Sequence, residues 1–163
     1  MKNGVALSVV LSSLMIAAPA MAAIDINSVT GVWTSTNPTA PDVSGQGTNE
    51  IRWGGPATGA GQSGYTFGGI APPPAVNVPT GTAFDLGTFT HLNNPVFPPS
   101  LNSATLEVTT DLEIDGAPKS VKSVFNFNHL ETTNSADPCA DGGDNGSGVN
   151  VNGCADRVTF SLN

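Results

Sequence analysis

Charged residues are scarce in this sequence, and basic residues are the scarcest. Only 11% of the 163 residues are charged, and five Lys and Arg stand against 13 Asp and Glu. A long surface helix needs such residues on its solvent-facing side, so the composition disfavours a helical protein. The 19 Gly and 13 Pro favour short strands joined by turns instead. A net charge of −8 repels nucleic acid and anionic membranes, which excludes nucleic acid as a partner.

Long apolar runs are missing everywhere except near the first residue. Lys2 precedes an uncharged apolar run from Gly4 to Ala18, and Ala20-Met21-Ala22 supplies a small-x-small cleavage pattern. This arrangement is typical of a secretory signal peptide, whereas a membrane span needs about 20 apolar residues. We predict that residues 1–22 are a signal peptide, with an N-terminal membrane anchor as the alternative.

The remaining segment, residues 23–163, has the length of one domain. Its 141 residues keep all 13 acidic residues but only four basic ones, a balance of −9. We expect a chain that crosses the periplasm and works as a secreted or cell-surface protein. No stable membrane span is expected after cleavage.

A period of two residues is the clearest structural pattern. From Thr105 to Ile114 apolar and polar residues alternate, which predicts a strand with one buried face. Asp115-Gly116-Ala117-Pro118 follows as a turn, and a second strand is predicted from Lys119 to Glu131, so that the two form a hairpin. Further predicted strands are Val29–Thr34, Asn49–Trp53, Thr82–Leu92 and Arg157–Leu162. The pattern predicts an all-β fold, an antiparallel and jelly-roll-like β-sandwich, with an incomplete C-terminal end as one alternative.

Cysteine is limited to Cys139 and Cys154. In an exported chain such a pair predicts a disulfide, although free or metal-bound thiols stay open as alternatives. The loop between them is rich in Gly, Asp and Asn, and oxygen ligands on such a loop suit calcium. Asp141, Asp144 and Asp156 are therefore weak calcium candidates, against the alternative of a plain solvated loop. We predict no other metal or cofactor.

Candidates for catalysis are few. His91 and His129 are the only histidines, and no G-x-S-x-G motif accompanies them. We therefore predict no catalytic residues and no enzyme, and we interpret His129 as a structural residue. A pocket that joined His91 to a carboxylate would favour an enzyme of unrecognised type.

Aromatic residues make up only 6% of the chain. Trp53 and Tyr65 are candidate platforms for stacking against a sugar ring, which makes a carbohydrate-binding module the second hypothesis. Filling the core is the competing interpretation of both residues.

Two blocks of sequence go beyond composition. One comprises 47–54 followed by 61–67, and the other is 84–95, which contains Thr90-His91-Leu92-Asn93. Together, in this order, they resemble the bacterial choice-of-anchor K domain and the THxN group of PEP-CTERM proteins. The residues that carry the resemblance are Asn49, Arg52, Trp53, Thr90, His91 and Asn93.

The resemblance implies an exported, β-rich protein, and such domains have no assigned biochemical role. From the export signal, the acidic and Gly-rich composition and the lack of a catalytic or metal-binding motif, we predict a non-enzymatic protein of the cell surface or extracellular matrix, with extracellular polysaccharide or other envelope proteins as partners. Such domains usually precede a sorting tail that this sequence does not show, so a short secreted form and a fragment both stay open. Within the motif we expect Leu92 to face inward and His91 to lie on the opposite face, away from the interior. There His91 would be tied to Asn93 or Arg52 or form a binding site at the sheet end.

Overall fold

The computed structural model describes residues 22–70, 75–133, 135–140 and 142–163. Within these ranges the chain forms strands and one short 3-10 helix at Gly148–Asn150, and contains no α-helix. The predicted signal peptide lies outside these ranges, apart from Ala22. No helix in the described residues is long and apolar enough to span a membrane. The strands are β1 (Ile24–Asn37), β2 (Val43–Ser44), β3 (Glu50–Trp53), β4 (Gly55–Pro56), β5 (Ser63–Gly68), β6 (Ala75–Val78), β7 (Thr88–Leu92), β8 (Val96–Phe97), β9 (Ser103–Ile114), β10 (Ala117–Leu130) and β11 (Arg157–Leu162).

Two antiparallel sheets pack against each other. The five-stranded sheet has the order β11-β10-β9-β1-β6, and the four-stranded sheet has the order β2-β3-β5-β7. Strands β4 and β8 form a separate short pair. The predicted all-β sandwich is therefore confirmed. Three of the seven pairings in these sheets join consecutive strands, namely β2 with β3, β9 with β10 and β10 with β11, whereas β1 pairs with the distant β6 and β9.

The predicted central hairpin is present, with a tighter turn than expected. Asp115 and Gly116 have φ angles of 51° and 76°, which closes β9 and β10 with a two-residue loop. Strand β10 consequently begins at Ala117, and Pro118 lies inside it opposite Glu113. Proline is tolerated there because β11 pairs with β10 only from Phe125 onward, so no strand on that side needs the missing N–H group.

Strand β7 is shorter than the predicted strand over 82–92. Only Thr88–Leu92 is extended and paired, with β5. Gly87, immediately before it, has a φ angle of 144°, a conformation that favours glycine. Residues 82–87 therefore form an irregular approach to the sheet rather than a part of it.

The core between the sheets is dominated by aromatic rings. Trp33, Trp53 and Tyr65 are each 0% exposed. Trp33 lies 5.4 Å from Tyr65 and 5.2 Å from Phe127 between ring centroids, so residues from both sheets meet at these rings. Burial of rings of this size supplies much of the apolar contact that holds the sandwich together.

Candidate functional site

His91 enters the interior from the four-stranded sheet. In the antiparallel pair of β5 and β7, Tyr65 is opposite His91 and Phe67 is opposite Phe89. Residues directly opposite one another point to the same face of a sheet. Because Tyr65 is fully buried, His91 must also point inward, and its side chain is 18% exposed. The expectation that His91 faces away from the interior is therefore wrong.

His129 enters the same space from the five-stranded sheet. It follows Phe127 by two residues on β10, so both side chains point toward the core, and both are buried. The His129 Nδ1 lies 2.7 Å from the hydroxyl of Tyr65, and its Nε2 lies 3.3 Å from Oε2 of Glu131. The two imidazole rings stand 5.3 Å apart between centroids. The histidines thus face each other where the two sheets meet.

Asp156 supplies a carboxylate to this pair of histidines. It lies just before β11, and its side chain is only 2% exposed. The backbone N–H of Thr132 donates to Asp156 Oδ1 at 3.0 Å, which fixes the orientation of the carboxylate. Its other oxygen, Oδ2, lies 3.7 Å from Nε2 of His91. We call His91, His129 and Asp156 the histidine–aspartate centre.

The surroundings of this centre set the charge of its groups. Burial, followed by the proximity of His129, lowers the pKa of His91, and the carboxylates of Asp156 and Glu131 oppose this only in part. Burial also raises the pKa of Tyr65, with Asp156 and Glu131 acting in the same direction. At neutral pH the imidazole of His91 is therefore uncharged and the phenol of Tyr65 keeps its proton.

A groove opens beside the centre. It has a volume of about 510 Å³, and His129, Glu131 and Thr132 are among its lining residues. Its walls combine amide and hydroxyl side chains with proline rings and short apolar groups. The other lining residues are Ala57, Asn93, Asn94, Pro95, Val96, Pro98, Ser100, Leu101, Asn102, Leu130 and Thr133. The groove thus connects part of the polar interior to the surface.

The aromatic residues predicted to stack on a sugar are not accessible. Trp53 and Tyr65 are both 0% exposed. Trp53 packs against the ring of Tyr65 at 4.8 Å and against His129 at 5.2 Å, so its faces are occupied. The prediction that these two rings contact a glycan is wrong, and filling the core is their role in this fold.

The remaining motif residues do not surround His91. Arg52 lies on the outer side of β3, where its Nε donates to Glu50 Oε1 at 2.7 Å. Asn49 donates to the backbone oxygen of Phe67 at 3.2 Å and so ties β3 to β5. Thr90 and Asn93 are exposed, and Asn93 lines the groove. The expected network from His91 to Asn93 or Arg52 is therefore wrong, since the polar neighbours of His91 are His129 and Asp156.

The predicted disulfide is confirmed. Cys139 and Cys154 are bonded, with their Cα atoms 5.3 Å apart, and both residues are buried.

The three predicted calcium ligands do not form one site in the described residues. Asp141 lies outside the described residues, and Asp144 is exposed and not part of the histidine–aspartate centre. Asp156 belongs to that centre, whose two imidazoles are ligands that calcium does not prefer.

Sequence reasoning missed how His129, Glu131 and Asp156 come together. The alternation of Phe127 and His129 on a strand was a usable signal that His129 faces inward. No comparable pattern predicts that His91 and Asp156 lie beside His129, because residues 91, 129 and 156 are far apart in the chain. A comparison with known proteins adds no further assignment: no family model matches the chain, and no curated protein sequence matches it.

Proposed function

We propose that this chain is an exported bacterial protein of the cell surface or extracellular matrix that acts by binding and not by catalysis. The resemblance to the choice-of-anchor K domain and the THxN group supports this assignment. So does the acidic composition, which keeps an extracellular protein soluble.

The observation that carries the proposal is the buried disulfide between Cys139 and Cys154. Disulfides form and persist outside the reducing cytoplasm. The signal-peptide pattern over residues 1–22 gives an independent reason to expect the same compartment. Both features fit export through the periplasm to the surface or the medium.

The groove beside the histidine–aspartate centre is the binding surface we assign to this function. Asn93 and Asn102 are exposed on its walls, and Ser100 and Thr133 add hydroxyl groups. Amide and hydroxyl groups both donate and accept hydrogen bonds, which suits the hydroxyls of a polysaccharide. We therefore propose extracellular polysaccharide as the ligand class. The groove is its binding site, because the rings of Trp53 and Tyr65 are buried and cannot contact a sugar.

Export is tested by expressing the full chain in a bacterial host and fractionating the cells. The mature protein should be found outside the cytoplasm with Ala23 as its first residue. A chain retained in the cytoplasm with an intact N-terminus contradicts the proposal.

Binding is tested on a polysaccharide array with the exported protein. A double variant, Asn93→Ala with Asn102→Ala, should lose the signal that the unchanged protein gives. Asn152→Ala provides a matched control, because Asn152 is also exposed but lies in the disulfide loop, outside the groove. A blank array for the unchanged protein, or equal binding by the double variant, refutes polysaccharide recognition by this groove.

An enzyme is the second candidate, and one observation favours it. His91 lies beside the carboxylate of Asp156, and His129 connects Tyr65 to Glu131 next to an open groove. Such pairs of a base and an orienting group occur in active sites. Turnover in a screen of glycoside, ester and peptide substrates, abolished by His91→Ala without unfolding, would establish the enzyme and contradict the non-catalytic proposal.

A further inference from the structure

The histidine–aspartate centre contains donor atoms of the kind that bind metal ions. Among the residues that the structure describes, it is the one group of three or more His, Cys, Asp and Glu side chains whose ligand atoms all lie within 4.8 Å of one another. Its members come from β7, from β10 and from the segment before β11. The fold itself therefore assembles two imidazoles and a carboxylate from separate elements.

Two buried atoms of this centre lack hydrogen-bond partners. Nε2 of His91 and Oδ2 of Asp156 are both inaccessible to solvent and unpaired. Their separation of 3.7 Å is too long for a hydrogen bond between them. Leaving a buried polar group unpaired costs about 1–3 kcal/mol, and more for a charged group. Asp156 is the more telling of the two, since its side chain is 98% buried and its second oxygen points at the histidine.

We propose that His91, His129 and Asp156 bind a divalent transition-metal ion of the zinc type. Two ligands bonded to one tetrahedral zinc at about 2.1 Å stand about 3.4 Å apart. The 3.7 Å between His91 and Asp156 is close to that value, and the widest separation in the set, up to 4.8 Å, requires a contraction of at most about 1.4 Å. Two imidazole nitrogens with one carboxylate favour zinc and its neighbours over calcium or magnesium.

Side chains around the centre support the same assignment. The hydroxyl of Tyr65, 2.7 Å from Nδ1 of His129, occupies one ring nitrogen. The other, Nε2, lies 3.3 Å from Glu131 Oε2 and would exchange that contact for the ion. Ligand histidines in metal sites are commonly held in this way by a polar partner on the other nitrogen. Glu131 Oε2, 3.3 Å from His129 Nε2, is an oxygen within reach of the fourth position. Thr132 holds the other oxygen of Asp156 and thus keeps Oδ2 directed inward.

The charge of the buried carboxylate also favours a cation. Asp156 is 2% exposed, and in the described part of the chain it forms no ion pair with Lys or Arg; Glu131, 23% exposed, adds a second carboxylate beside it without such a pair. An ionised carboxylate that is nearly excluded from water needs a compensating positive charge or several hydrogen bonds. A divalent ion between the two histidines and Asp156 supplies that charge.

The test uses the full chain, purified after export without a polyhistidine tag and freed of metal by a chelator followed by dialysis. A calorimetric titration with Zn²⁺ alone should show one ion bound per chain. Because an ion that binds only the folded state stabilises it, a hundredfold excess over Kd should also raise the melting temperature. Titration with Ca²⁺ should produce neither effect.

Asp156→Asn should weaken zinc binding by at least a hundredfold, because it removes the charged ligand oxygen. Asp144→Asn is the matched control, since it makes the same chemical change at an exposed residue outside the centre, and its zinc affinity should equal that of the unchanged chain. Equal affinity in Asp156→Asn, or an equal loss in both variants, overturns the proposal.

A spectroscopic measurement on the unchanged chain avoids any dependence on a variant's folding. Zinc should shift the imidazole nitrogen resonances of both His91 and His129 in an NMR spectrum. Cobalt(II), used as a probe in place of zinc, should give the intense visible absorption of a four-coordinate nitrogen and oxygen site. Absence of saturable zinc binding below about 100 µM, or shifts confined to one histidine, refutes the centre as a metal site.

Discussion

Removal of the disulfide should destabilise the fold by an amount that follows from the length of its loop. Cys139 and Cys154 are separated by 15 residues, and both are buried. In the chain-entropy model, closure of a loop of this length contributes about 3 kcal/mol. The double variant Cys139→Ala with Cys154→Ala should therefore lose about 3 kcal/mol of unfolding free energy.

Urea denaturation measures this loss directly. With a slope of about 1–3 kcal/mol per molar urea, the midpoint of the double variant should fall by about 1–3 M. Intact mass before and after reduction provides the control, because the oxidised chain should be lighter by two hydrogen atoms. Treatment of the unchanged chain with a reductant should reproduce the variant's midpoint. A loss below about 1 kcal/mol would refute the argument that loop closure by this bond stabilises the fold by its chain entropy.

Two further substitutions test a close backbone approach between Gly69 and β1 and the buried hydrogen bond of Tyr65. A Cβ atom on Gly69 would overlap the backbone oxygen of Val29, so Gly69→Ala should lower the unfolding free energy by about 1–3 kcal/mol or more. Gly59→Ala is the control: its Cβ meets no atom within 4 Å, and the unfolding free energy should change by less than about 0.5 kcal/mol. Equal urea midpoints for these two variants would contradict the close approach at Gly69. Tyr65→Phe removes the hydroxyl beside His129 and should cost about 1–3 kcal/mol in the same assay, and a loss below about 0.5 kcal/mol would show that this buried hydrogen bond is unimportant.

The parts of the fold that sequence predicted best are those with local causes. The β9–β10 hairpin follows from strict alternation over Thr105–Ile114 and from Asp115-Gly116, which can both adopt the positive φ angles of a two-residue turn. The disulfide follows from a cysteine pair in a chain with an export pattern. Neither prediction required knowledge of how distant strands pair.

The face of His91 could not be predicted because β7 gives little hydrophobic contrast. Phe89 and Leu92 are both apolar but lie on opposite faces of the strand, so alternation along the sequence does not identify an inner face. The register with β5, which places His91 opposite Tyr65, determines that His91 faces the interior. Register across a sheet is a tertiary property, and a shift by one residue would have reversed the face.

The candidate site depends still more on tertiary structure. His91 belongs to one sheet and His129 to the other, while Asp156 is held by Thr132 and follows the disulfide residue Cys154. The composition offered a hint, since the only two histidines of the chain prove to be neighbours. The two histidines and Asp156 come together only because one sheet packs on the other, and this packing cannot be read from the sequence.

The central claim is that His91, His129 and Asp156 bind a zinc-type ion. It is tested most directly by a crystal structure of the zinc-loaded protein, with data collected on both sides of the zinc absorption edge. The account predicts one anomalous peak within about 2.0–2.2 Å of a ring nitrogen of His91, a ring nitrogen of His129 and a carboxylate oxygen of Asp156. A water molecule without anomalous signal between His91 and Asp156, or a zinc peak only at exposed residues elsewhere, would contradict it.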